Sequence, residues 1–159
     1  MIFVTVGTTH FDPLIREVDR LAELARLPGP IECQIGSGSY EPRHCAFFRF
    51  RPSIDDLLAA ADLIISHGGA TVFSLLALGK RFVAVPNTEL ADDHQTKLLV
   101  HLAKHVSLHW APKVSDLETV ARAALASPPP RLVQPHVADF LAPIVLGTRV
   151  DGGARRIQT

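Results

Sequence analysis

Cysteine is scarce in this 159-residue chain: Cys33 and Cys45 are the only two, and they form no CxxC pair. Two cysteines in a domain of ordinary size are expected to be reduced, buried thiols in a cytosolic protein, with Cys33 packed in a strand. Charge of one sign is not in excess, since 16 basic residues balance 16 acidic ones. A neutral chain has no general electrostatic pull toward nucleic acid or an anionic membrane. No apolar run approaches the ~20 residues of a membrane span. No signal-peptide pattern precedes Met1 to Val6, which already reads as a strand, so a cytoplasmic location is expected. Two motifs are also missing: no GxGxxG follows a strand, and no GxSxG elbow exists. These gaps weigh against a dinucleotide-binding enzyme and a serine hydrolase.

What is present is a core. The chain is 47% hydrophobic and 20% charged, enough to fold as one domain. Short β-branched runs alternate with helical patterns. The strands are expected at Ile2–Val6, Ile31–Ile35, Ala46–Phe50, Leu63–Ser66 and Phe82–Val85, with a sixth at Val106–Trp110. The first helix is expected from Asp12, as cap, to the stop at Pro28-Gly29-Pro30. A capping box of Ser53 and Asp56 opens a helix through Ala61. Others are expected over Thr71–Leu78 with Gly79 as stop, from Asp92 or Asp93 to about Lys104, and from a Ser115–Glu118 box to about Ala126. Alternation of this kind predicts an α/β fold, a doubly wound Rossmann-like parallel sheet. Its domain covers 1–126, and 127–159 is an extension with one more helical pattern over 134–146 and a loose tail. Ligands of such sheets bind where loops leave the carboxyl ends of the strands.

Three of those loops carry chemistry. Ser66-His67-Gly68-Gly69-Ala70-Thr71 joins a buried strand to a helix. Glycine lets backbone approach a ligand, and free N–H groups there favour an anion such as a diphosphate. A tight turn needing glycine explains the same residues equally well. Gly7-Thr8-Thr9-His10 follows the first strand, and Asp92-Asp93-His94-Gln95 opens the helix after the fifth. Taken alone, the first reads as an ordinary βα turn and the second as a helix cap, and both stand where their polar groups could meet a ligand. His101, His105 and His109 are spaced for a metal, but no HExxH pattern or further ligand accompanies them, and a solvated helix face is the expectation.

Taken in order, Val4–Ile15, Gly36–Pro42, Ala61–Lys80 and Val85–Gln95 resemble the family 28 glycosyltransferase C-terminal domain, in particular its stand-alone members. The likeness spans about residues 1–126. It implies the C-terminal half of a GT-B glycosyltransferase, a donor-binding catalytic subunit of a two-part inverting enzyme. Such a subunit moves an N-acetylglucosamine, glucose or glucuronate group from a UDP-sugar, without a metal or other cofactor, to a lipid-linked acceptor. A separate membrane-associated subunit binds that acceptor, and no nucleic acid is involved. By the same resemblance, Phe50 packs on the uracil and Arg51 offers backbone to its edge. His67, Gly68, Gly69, Ala70 and Thr71 hold the diphosphate. Asp93, His94 and Gln95 meet the ribose and sugar, and Gly7 and Thr8 line the cleft. His67 would stabilise the leaving group. The matched motifs hold no evident general base, which the partner would supply; His10, in a cleft-facing loop, is the local candidate. Relatives carry Glu or Asp where this chain has Ser74, and the carboxylate grips the ribose; Glu89 and Asp92 are candidates to replace it. That departure sustains an alternative, a non-catalytic interaction subunit that keeps the fold. The apolar cluster Phe140, Leu141, Ile144, Val145 and Leu146 is a candidate docking strip.

Overall fold

The computed structural model describes residues 1–89 and 93–130. The chain forms β1 (Ile2–Thr5), α1 (Asp12–Glu23), β2 (Ile31–Gln34), β3 (Ala46–Phe48), α2 (Asp55–Ala60), β4 (Leu63–His67), α3 (Thr71–Ala77), β5 (Phe82–Val85) and α4 (His94–Leu102). A short 3-10 turn at Val114–Asp116 then leads into α5 (Leu117–Ala126). The five strands are all parallel in the order β3-β2-β1-β4-β5. This is the expected doubly wound sheet.

Burial on both faces explains the near-continuous apolar strands. Side chains alternate across β1, so Ile2 and Val4 enter one core and Phe3 the other. The first core sets Leu14, Ile15, Val18 and Leu21 of α1, and Leu117, Ala121 and Ala124 of α5, against the sheet. The second sets Leu57, Val72, Leu75, Leu76, Leu99 and Leu102 against Phe3, Ile64 and Phe82. The helices are thus held at fixed positions over the sheet, and their N-termini meet at its carboxyl edge.

Several expected boundaries are corrected. Asp12 does not cap α1; Phe11 holds that position. The Asp12 carboxylate instead accepts the backbone N–H groups of Ser39 and Tyr40, each at 3.1 Å. The helix closes at Glu23, well before Pro28, because Ala25 turns left-handed and Arg26 N–H bonds back to Leu21 O at 2.8 Å. Ser53 and Asp56 form no box. Ser53 bonds the N–H and carboxylate of Asp55, and Asp56 pairs with Arg51 at 3.0 Å. Ser115 and Glu118 form none either: Asp116 accepts Lys113 N–H, and Glu118 pairs with Arg122. Asp93 sits at the cap of α4 without a side-chain bond. The sixth strand is reduced to one bridge, in which Ala84 bonds His109 and Ala111. Because α4 ends at Leu102, His105 lies beyond it; the His101 and His105 rings stand 5.2 Å apart.

Cys33 is buried, as expected, and Cys45 is half-buried. Asp92, the helical pattern over 134–146, the cluster Phe140 to Leu146 and the tail lie outside the described residues.

The loop after β2 is anchored from α1. Asp19 is 3% exposed, and its carboxylate accepts Tyr40 Oη at 2.6 Å, His44 N–H at 2.6 Å and Arg43 N–H at 3.0 Å. Burial alone would raise its pKa, but these donors hold it below the usual carboxylate range. Its contribution to stability is therefore complete above ordinary carboxylate pKa values and is lost as pH falls through the depressed one.

Candidate functional site

The strand order reverses direction between β1 and β4: the chain leaves β1 toward β2 on one side and returns to β4 on the other. Loops diverge there and open a crevice at the carboxyl edge, the usual ligand site of this architecture. His67 closes β4 at that point, facing the loop after β1. A Cβ on Gly7 would stand 3.5 Å from His67 Cε1, and one on Gly69 would stand 2.6 Å from His67 Nε2. The imidazole therefore fits between two glycines, and a side chain at 69 would evict it. Gly68 is equally constrained, since a Cβ there would meet Leu99 at 2.9 Å and Gln95 at 3.2 Å. The two glycines let α4 and the histidine crowd the turn.

His67 is half-buried, and its Nδ1 is buried without a well-formed hydrogen bond. Burial holds the imidazole pKa below the usual histidine value, with the Thr5 carbonyl opposing this weakly. The ring is thus biased toward neutrality when the crevice is empty. A negative ligand would reverse that bias.

Buried polar residues fix the surrounding loops. Thr5 Oγ1 donates to Gln34 Oε1 at 2.7 Å and accepts Gly7 N–H at 3.1 Å. Asn87 is 2% exposed. Its Nδ2 donates to His10 O at 2.8 Å, its Oδ1 accepts Glu89 N–H at 3.1 Å, and its own N–H donates to Gln95 Oε1 at 2.8 Å. Asn87 ties the loops after β1 and β5 to the start of α4. Sequence reasoning missed it; the one available signal was a polar residue two positions past a fully buried strand.

Three grooves meet along the Gly68–Thr71 turn. One, of about 400 Å³, is lined by Thr5, Gly7, Thr8, Gln34, Arg51 and Thr71. A second, of about 350 Å³, is lined by Gly68, Gly69, Ala70, His94 and Gln95, with Phe73. The third, of about 690 Å³, brings Ser74 together with Ala70, Thr71, Asp55, Ile54 and Leu58. Most of the candidate residues therefore share one edge of the sheet. Four do not line these grooves: His67, which is packed between Gly7 and Gly69, and three exposed residues. Phe50 is 58% exposed beyond the end of β3, Asp93 is exposed at the cap of α4, and His10 is exposed with its carbonyl engaged by Asn87. Arg51 stacks over Phe48 at 5.4 Å while paired with Asp56. Glu89, on the loop after β5, does not line the Ser74 groove.

Known proteins share parts of this sequence and its fold. Human UDP-N-acetylglucosamine transferase subunit ALG13 is 34% identical over 121 residues, which is 69% of this chain and 11% of that protein. A UDP-N-acetylglucosamine--N-acetylmuramyl-(pentapeptide) pyrophosphoryl-undecaprenol N-acetylglucosamine transferase of Parabacteroides distasonis is 41% identical over 86 residues, covering 52% of this chain and 22% of that enzyme. The chain thus spans only a minor part of the curated relatives it matches. Among solved structures, the fold is shared with ALG13 in solution (TM-score 0.55, 19% identity, 89% of this chain and 92% of that one). It is shared also with Acinetobacter baumannii MurG (TM-score 0.53, 20% identity, 92% of this chain and 49% of that one). The model of the glycosyltransferase family 28 C-terminal domain matches residues 1–125, from β1 almost to the end of α5, and takes in every groove described above: the chain belongs to that family.

Proposed function

We propose that this chain binds a UDP-sugar in the crevice between the loops after β1 and β4, and that it forms the donor half of an inverting glycosyltransferase. The observation that carries this is His67 held between Gly7 and Gly69 at the reversal of strand order. A diphosphate laid on the Gly68–Thr71 turn would meet backbone N–H groups and the imidazole. These would stabilise the charge that develops on departing UDP, with no metal required. Gly7 and Thr8 would border the diphosphate, and Arg51 the base edge. Ser74 lies toward the ribose, and His94 and Gln95 toward the sugar. Phe50 would have to swing inward to stack on uracil, and Asp93 would act through the α4 cap.

The acceptor side is assigned to a second, membrane-associated subunit carrying a lipid-linked acceptor. The names of the relatives support this: one is a transferase subunit, and others act on a pyrophosphoryl-undecaprenol acceptor. The same names support N-acetylglucosamine as the first donor sugar to test. No helix among the described residues is long and apolar enough to cross a membrane, so contact with such an acceptor is assigned to the partner, at a cytoplasmic membrane face. The general base for the acceptor hydroxyl would come from that partner, with exposed His10 as the local alternative. Ser74 favours a second reading, a subunit that keeps the fold and no longer binds donor.

Calorimetric titration separates the two. The donor-half reading predicts saturable binding of UDP, and of UDP-N-acetylglucosamine ahead of UDP-glucose and UDP-glucuronate. A folded chain that binds none of them, alone or with its partner, would leave only the scaffold.

A further inference from the structure

Resting on the UDP-binding reading, the geometry points to Asp55 as the carboxylate that grips the ribose hydroxyls. The groove of about 690 Å³ beside Ser74 has apolar walls from Ile54, Leu58 and Leu78, suited to the flat faces of a nucleoside. Its polar groups are the hydroxyls of Ser74 and Thr71 and one carboxylate, Asp55, at the first turn of α2. A vicinal diol offers two donors, and a carboxylate offers two acceptor oxygens with charge assistance. A lone serine accepts with one oxygen. Acidic side chains are the common partners of ribose hydroxyls in doubly wound nucleotide sites.

Local structure aims Asp55 at this task and its neighbours elsewhere. The Ser53 hydroxyl donates to Asp55 Oδ2 at 2.8 Å and steadies the carboxylate. Asp56 is turned to Arg51. Asp55 also lines the groove that holds Gly7, Thr8 and Arg51, so it stands on the ridge between the two openings. Gly68 and Gly69 line a different groove, on the far side of Ala70. The inferred nucleotide polarity is diphosphate toward Gly69 and His67 and ribose toward Ser74 and Asp55. The carboxylate is thus supplied from α2 rather than from α3.

The test is calorimetric titration of the wild-type chain, Asp55→Asn and Ser74→Ala with UDP and with 2′,3′-dideoxy-UDP, each variant checked for unchanged thermal melting. Asp55 is exposed at a helix start, so the fold does not depend on it. Asp55→Asn is expected to weaken UDP about tenfold or more, the effect of losing a charged hydrogen bond. The dideoxy ligand should bind wild type and Asp55→Asn equally. Equal UDP affinity in wild type and Asp55→Asn, or equal weakening of both ligands, overturns the Asp55 assignment while the UDP-binding reading stands. Failure of the wild-type chain to bind UDP overturns both.

Discussion

Gly36→Ala is expected to destabilise the fold by about 3 kcal/mol or more. Two costs combine. Gly36 has φ +54°, a left-handed conformation that side chains rarely adopt. A Cβ there would also stand 2.1 Å from Thr9 O and 2.9 Å from Gly7 O, both backbone atoms of the loop that faces the crevice. Neither can rotate away, and Thr9 O already accepts Ser37 N–H at 3.0 Å. The loop after β1 must move, so the substitution should damage the crevice as well as the melting point. A loss of about 6–12 °C is expected for a domain of this size. Gly79→Ala is the control. Gly79 shares the left-handed backbone at φ +61°, but nothing lies within 4 Å of its added Cβ. It should lose only the backbone share, about 1 kcal/mol. Equal melting points for the two variants would show that contact across the β1 and β2 loops is not what Gly36 protects.

His67→Ala is expected to weaken UDP-N-acetylglucosamine about 10- to 100-fold, and to flatten the pH dependence of binding. In the empty crevice, burial depresses the imidazole pKa. A bound diphosphate would favour the imidazolium, so binding should take up a proton near neutrality. Affinity in the wild type should therefore rise as pH falls from about 8 toward the usual histidine value of about 6.5. A UDP-sugar is the right probe, because its diphosphate does not itself titrate there. The sign for folding is opposite. A group whose native pKa is depressed in this direction supports the empty fold above the usual histidine value, and that support is lost as pH falls toward the depressed one. Ligand should offset the acid loss in wild type and not in His67→Ala. Melting curves across pH, with and without ligand, read both effects. A wild-type affinity indifferent to pH would remove His67 from the phosphate.

Much of this was legible in the chain itself, and the boundary of legibility has a physical cause. The five strands and the helices between them follow from alternation and spacing, because both faces of a parallel sheet must be covered; the edge strand β3 alone is largely exposed among them. The turn at His67–Thr71 stood out by its glycines directly after a buried strand, although spacing alone left a tight turn and an anion site equally open. Helix ends were less legible. Asp12, Ser53 and Asp56 all have capping chemistry, yet Asp12 answers Ser39 and Tyr40 across the fold, while Ser53 and Asp56 are taken by the near neighbours Asp55 and Arg51. The segment before Trp110 reads as a strand, but only one residue of it reaches Ala84. Groove membership is hidden for a related reason. Asp55 and Ser74 are 19 positions apart and meet only because α2 and α3 pack on one face of the sheet. Asn87 gives no periodic signal, and its importance lies in the two loops and the helix start that it joins.

The central claim is that nucleotide binds at the reversal of strand order. Amide chemical-shift mapping of the 15N-labelled chain during a UDP titration tests it most directly. The account predicts saturable shifts centred on Gly7, Thr8, Gly68, Gly69, Ala70 and Thr71, with smaller ones at Asp55 and Ser74. Saturating UDP that leaves these amides unmoved, or shifts centred instead on the surface of Arg16, Tyr40 and Arg43, would contradict it.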